Sequence, residues 1–229
     1  MFLVSCKYLS KVLVNPGPPR LFERLLVGDE RSRTHWFIEA APDEYQRLYV
    51  AASRFTGIEG LPEHVRDLTR EQQRALKVNL SARSWPQPLQ GPWQDVCDAV
   101  SAESALRWRA ALSQPRNPLR LLWRMLRITT ATYFILGTSR ADSLRLRVDS
   151  AWDWMQQYDL TSFEVVPVKA GQPQVAWAAA VTSRASGIER MVEGHVEIRW
   201  SHGRFLGSPE AKVYLDTPHV QVPGYNLLD

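Results

Sequence analysis

Cysteine is almost missing from this chain: Cys6 and Cys97 are the only two in 229 residues. Two widely separated thiols rule out a disulfide framework and a four-cysteine zinc site. The HExxH and CxxC patterns are absent as well, so the sequence assigns no metal ligands. Lysine is scarce, with 5 against 23 arginines. Arginine grips phosphate with a fork that lysine cannot copy, but GC-rich coding sequences raise arginine too. The formal net charge of +4 does not decide between these origins. No run approaches the roughly 20 apolar residues that a membrane-spanning helix needs. The apolar stretch Phe2–Val14 is broken by Lys7 and Lys11 and has no basic region ahead of it, unlike an export signal. A cytoplasmic protein with no membrane partner is the expectation. No internal repeat or low-complexity segment occurs.

What is present suits an ordinary globular chain, with 45% apolar and 23% charged residues. Phe2–Val14 reads as one or two strands, closed by Asn15-Pro16-Gly17-Pro18-Pro19. Thr34–Ala40 reads as another strand. Pro42 opens a helix, with Asp43 and Glu44 at its positive end and Tyr45, Leu48, Tyr49 and Ala52 on one face. Thr69 and Gln72 have capping-box spacing for a helix that runs to about Leu80. Ser84–Trp93, with three prolines and a glycine, reads as a linker. Past it, Pro92 begins a helix carrying the stripe Trp93, Val96, Cys97 and Val100. A second helix follows over Glu103–Leu112, and Asn117-Pro118 is placed to cap a third over Leu119–Ile128. Cys97 on its stripe reads as a small core residue.

After Thr129 the period falls from 3.6 to 2. Tyr133–Leu136, Leu144–Val148, Phe163–Val168, Val175–Val181, His195–Trp200 and Lys212–Leu215 read as strands. Ser150 and Asp153 mark one interrupting helix. Helices first and strands later give an α+β class, a mainly helical N-terminal half packed on a mostly antiparallel sheet. The divisions expected are an α/β portion over 1–83, a proline-rich segment over 84–93, a helical segment over 94–128 and a β-rich portion over 129–229. All of these can belong to one domain.

Alternation along the late strands assigns chemistry to one face. His195, Glu197 and Arg199 oppose Val196, Ile198 and Trp200, and Lys212, Tyr214 and Asp216 oppose Val213 and Leu215. With His202, Glu210 and His219 they form the densest polar cluster in the chain. Histidine beside carboxylate and arginine can do acid–base work, although a sheet normally shows water one polar face. Glu210-Ala211-Lys212 has the carboxylate-x-lysine form of magnesium-dependent nucleases, so Mg²⁺ is expected only if that reading holds. The third signal is basic. Six arginines and no acid occur from Arg107 to Arg127, and Arg120, Arg124 and Arg127 lie along one helix edge. Arg145 and Arg147 add a basic strand face. Together these point to a nucleic-acid-binding or nucleic-acid-processing protein, its enzyme form a nuclease or another hydrolase acting on a phosphodiester or nucleobase. Two alternatives stand beside it: a non-catalytic scaffold with a protein partner or a second copy, and an enzyme for a small anionic metabolite. A closed pocket around His195 and Glu197 would favour the last.

Overall fold

The computed structural model describes residues 3–7, 11–28, 35–80, 84–138 and 143–228. Its longest helix, α5 (Gln87–Leu112), begins inside the segment expected to be a linker and absorbs both helices expected after it. Pro88 sits in its first turn, where a missing N–H costs nothing. Pro92 lies within the helix and removes one interior hydrogen bond. The apolar stripe outweighs that loss. Leu89, Trp93, Val96, Cys97, Val100, Ala105, Trp108 and Leu112 are all buried along one side. Two buried serines stitch the helix to its neighbours. Ser101 accepts from the Gln174 amide at 2.9 Å, and Ser104 accepts from the Trp36 indole at 2.9 Å.

Before α5 stand β1 (Leu3–Lys7), β2 (Val12–Val14), α1 (Pro18–Phe22), α2 (Trp36–Ala40), α3 (Pro42–Thr56) and α4 (Arg70–Asn79). The stretch expected as a strand is helical from Trp36 on, and Thr34 lies outside the described residues. The reason is that neighbours Trp36 and Phe37 are both buried, and Ala40 with them. A strand would send adjacent side chains to opposite faces. Trp36 stacks on Phe22 at 5.7 Å, while Phe37 stacks on Trp200 at 4.5 Å. The helix α3 buries Tyr45, Leu48, Tyr49 and Ala52, the face that periodicity assigned. At α4 the capping box forms in both directions, with Thr69 and Gln72 bonding each other's backbone N–H.

After α5 come α6 (Asn117–Leu126), β3 (Tyr133–Thr138), β4 (Ser143–Val148), α7 (Ala151–Gln157), β5 (Tyr158–Val168), β6 (Gln174–Ser183), β7 (Glu189–Trp200), β8 (Pro209–Leu215) and β9 (Tyr225–Leu227). Asn117 is the first residue of α6, not its cap, and its amide donates instead to the Ala111 carbonyl at 2.8 Å. The α+β class holds, and the strands divide into two sheets. One is four-stranded, ordered β1-β3-β4-β9, with β1 parallel to β3 and the other pairs antiparallel. The other is a five-stranded antiparallel sheet ordered β2-β8-β7-β6-β5.

The five-stranded sheet buries one face beneath α5. Across it run Val213, Val196 and Val175, then Leu215, Gly194, Trp177 and Val165 in register. Eight of the nine tryptophans are buried or half-buried, and Trp152 is exposed. Trp36, Trp85, Trp108 and Trp154 are all core. Cys97 is core too, and burial pushes its thiol well above the ordinary pKa. Cys97 should therefore resist iodoacetamide in the native protein at pH 8 and react only on denaturation, read by mass spectrometry of the Cys97 peptide.

Candidate functional site

The open face of the five-stranded sheet carries the cluster that alternation marked. Three cross-strand pairs from β7 to β8 bring it together: His195 opposite Tyr214, Glu197 opposite Lys212 and Arg199 opposite Glu210. His195 Nδ1 lies 2.7 Å from Asp216 Oδ2. Its ring stacks on Tyr214 with centroids 4.7 Å apart and planes 13° from parallel. The Tyr214 hydroxyl donates to Glu197 at 2.9 Å, and the Lys212 ammonium stands over the same ring at 5.1 Å. Arg199 reaches Glu210 at 3.8 Å, and Glu210 also accepts from Asn15 at 3.4 Å. Asp216 fixes the orientation of the imidazole, as a carboxylate does for a general base. Every carboxylate of the group already has a partner on the sheet. The face is thus balanced in charge rather than basic.

The remaining sequence candidates lie elsewhere. His219 sits in the turn His219–Gln221 and stacks on Tyr225, whose strand belongs to the four-stranded sheet. Arg145 and Arg147 also belong to that sheet, on β4. The arginine strand and the histidine strand thus lie in different sheets. Arg147 reaches the buried Asp149 at 3.2 Å. On α6, Arg124 donates to the Leu25 carbonyl at 2.8 Å and Arg127 to the Leu13 carbonyl at 3.4 Å. Arg120 is exposed. The helix arginines therefore take part in docking α6, whose buried side is Leu121, Leu122, Met125 and Leu126. Among the described residues no three His, Cys, Asp or Glu side chains come together as a metal-holding group.

His202 is the exception, because two cavities meet on it. It lies in the connection from β7 to β8, residues 201–208, which is compressed into a tight knot. Ser201 N–H donates to the Ser208 carbonyl at 2.8 Å, and Gly207 N–H donates to the Arg204 carbonyl at 2.9 Å. Three residues in this loop have left-handed backbones: His202 (φ 61°), Gly203 (φ 64°) and Leu206 (φ 61°). For a histidine and a leucine this conformation costs about 1–2 kcal/mol each. Phe205 and Leu206 offset the strain by burial, with Phe205 edge-on to Trp200 at 5.5 Å. Gly207 is needed for closeness: a Cβ there would sit 2.9 Å from the Arg204 carbonyl oxygen.

One cavity, of about 550 Å³, is lined by Trp93, Ala170, Gly171, Gln172, Gln174, Ile198, Arg199, Trp200, His202 and Gly203. Trp93 is anchored by its indole N–H, which donates to the Gly171 carbonyl at 2.9 Å. The second cavity, of about 450 Å³, is lined by Lys77, Ser201, His202, Arg204, Gly207 and Ser208. Three basic side chains and two hydroxyls face it, and no acid stands among its described lining residues. Ser201 Oγ lies 2.9 Å from His202 Nδ1, and His202 lines both cavities. Behind the loop, next to Gly207, sits His35, whose imidazole burial pulls down to about 4.

Sequence reading named His202 and Arg199 but missed Lys77, Gln172, Gln174 and Ser208 as a site. Lys77 arrives from α4, far away in the chain, and no local pattern reports that. The pair Gly203 and Gly207 within seven residues was the available signal for a folded-back loop. No family model, no curated protein and no solved structure matches this chain.

Proposed function

We propose that this chain binds a small phosphate-bearing ligand in the basic cavity at the β7–β8 loop. The observation that carries the reading is the lining itself: Lys77, Arg204 and His202 converge with Ser201 and Ser208 around a hollow of about 450 Å³ without an opposing carboxylate. Cations and hydroxyls around a concave site are what a phosphate monoester needs to replace its water. The strained backbone at His202 adds weight, since left-handed non-glycine residues persist where surrounding structure holds them, and such places are often binding loops. The polar sheet face lies alongside, through Arg199.

The test is calorimetric titration of inorganic phosphate at low ionic strength, where exposed charges are least screened. The parent protein should show saturable binding. Lys77→Ala and Arg204→Ala should each weaken it about tenfold, the scale of one lost charge-assisted hydrogen bond. Arg120→Ala should leave it unchanged. Absence of saturable binding in the parent overturns the reading. Tighter binding of a single-stranded oligonucleotide that depends on Arg120, Arg145 and Arg147 would replace it with the nucleic-acid reading.

A further inference from the structure

We propose that Ser201 is a nucleophile that takes the phosphoryl group from a small phosphate monoester held in the basic cavity, with His202 as its base. This rests on the phosphate reading above and goes further by giving the site a reaction. The two residues make the first contact that an activated hydroxyl needs. Ser201 Oγ lies 2.9 Å from His202 Nδ1, within reach for the nitrogen to take the hydroxyl proton. Both line the same hollow of about 450 Å³, a size suited to small molecules, together with Lys77, Arg204 and Ser208.

Three further features set this pair apart from a chance contact of neighbours. The first is strain. Adjacent residues in an extended strand send their side chains to opposite faces. Here His202 leaves the strand in a left-handed turn with Gly203, and the two side chains face one hollow. Left-handed non-glycine backbone costs energy and persists where its surroundings hold it, as functional turns do. The second is anchoring. The Ser201 N–H donates to the Ser208 carbonyl at 2.8 Å, so its backbone stays fixed at the mouth of the loop whatever the side chain does. The third is charge. Lys77, from the last turn of α4, and Arg204 line the hollow without a carboxylate among its described lining residues. Cations there relieve the repulsion between an incoming oxygen and the phosphate, and stabilise charge that builds on the phosphoryl oxygens. The His195–Asp216 pair cannot take the place of His202. It lies six residues back on β7, about 20 Å along an extended strand.

The reaction balances as two displacements at phosphorus. In the first, Ser201 Oγ bonds to phosphorus as the bond to the ester oxygen breaks, and that oxygen leaves with the electron pair. The hydroxyl proton passes to His202 and from there to the departing alkoxide, which leaves as the free alcohol. In the second, a water oxygen bonds to the same phosphorus and its proton goes to His202. Ser201 Oγ departs with its electron pair and recovers that proton. One monoester and one water become one alcohol and one inorganic phosphate, with no oxidant or further substrate.

The experiment follows hydrolysis of 4-nitrophenyl phosphate, which releases a coloured phenolate, beside calorimetric titration of inorganic phosphate. The parent protein should turn the ester over with saturation. Acid quenching during turnover should leave a phosphoryl group on the Ser201 peptide, read by mass spectrometry. Ser201→Ala should lower turnover about a thousandfold or more. Its affinity for inorganic phosphate should stay within about fivefold of the parent's, the scale of one neutral hydrogen bond. His202→Asn tests the base without breaking the turn, because asparagine accepts a left-handed backbone. Its turnover should fall about a hundredfold or more while its melting temperature holds. If phosphate binds but the parent shows no turnover, the nucleophile assignment falls and the phosphate reading survives. Turnover that persists in Ser201→Ala, or a phosphoryl group found on another residue, also overturns the assignment. If phosphate does not bind and the ester is not hydrolysed, both readings fail together.

Discussion

Replacing Gly194 by alanine is expected to destabilise the protein by about 3 kcal/mol or more, the upper range for forcing an extra carbon into a packed core. In a chain of this length that lowers the melting temperature by roughly 6–12 °C. Gly194 occupies the buried face of β7, opposite Trp177 on β6 and Leu215 on β8. The space above it is filled. A Cβ at that position would overlap the Tyr214 carbonyl oxygen and come within 2.5 Å of the Trp177 ring. The carbonyl is part of the β8 backbone and can move only by distorting the ladder. The indole is 2% exposed and stacked on Phe163 with planes 3° apart, so it has nowhere to swing. Trp177→Leu alone should also destabilise, by leaving part of the indole's space empty. In combination the two should recover part of the loss, because the leucine vacates the space that the alanine enters. Thermal melts of the two single variants and the double variant measure this coupling. Strictly additive losses would show that the indole is not what excludes the methyl group.

The same glycine shows what the sequence could and could not express. The alternation Val192, Val196, Ile198 and Trp200 announces a strand with one buried face, and Gly194 simply breaks the pattern. Only the partner strand explains it, since β6 brings a tryptophan to that register. Local signals were legible wherever the cause was local. Capping at Thr69 and at Ser150, the Pro42 helix start and the six late strands all depend on neighbours within a few residues, and all are present. The failures are of the opposite kind. Proline chemistry at Ser84–Trp93 argued for a linker, but a buried stripe extending to Leu112 carried the helix through Pro92. Aromatics at Trp36 and Phe37 argued for a strand, but two separate aromatic neighbours, Phe22 and Trp200, required consecutive residues to share an interior.

For the site, the polar face was legible because period 2 is a property of one strand. Its partners were less so. That Glu197 meets Tyr214 and His195 meets Asp216 follows from the register of β7 on β8, and the loop of residues 201–208 sets that register. The arginines show the limit most plainly. Arg120, Arg124 and Arg127 look equivalent on a helical wheel, yet Arg124 and Arg127 each donate to a carbonyl in the N-terminal part of the chain. Lys77 carries no local mark at all. It joins Arg204 only because α4 lies against the loop.

The second large effect is expected from acid, and it acts through His35. Burial holds this imidazole neutral down to about pH 4, against an ordinary 6.5 in the unfolded chain. Its ring lies among Phe37 and Tyr45, with centroids 6.0 and 5.3 Å away, and the Lys77 charge opposes protonation further. A depressed folded-state pKa means that the unfolded chain takes up the proton first as the pH falls. The stabilising contribution is therefore complete above pH 6.5, declines by about 1.4 kcal/mol per pH unit, and is lost by pH 4. The total is about 3 kcal/mol, a large share of a typical domain's stability. His35→Phe keeps an aromatic ring against Tyr45 and removes the proton site. Urea unfolding of parent and variant between pH 7.5 and pH 4 should give a stability difference that drifts in the variant's favour by about that amount. Carboxylates and the other four histidines titrate in both proteins and cancel in the difference. Because His35 lies against Gly207, the loop that holds the basic cavity should be the first part to loosen, and hydrogen exchange over residues 201–208 should quicken in the parent below pH 5. A constant difference across the range would mean that His35 reaches its proton without disturbing the loop.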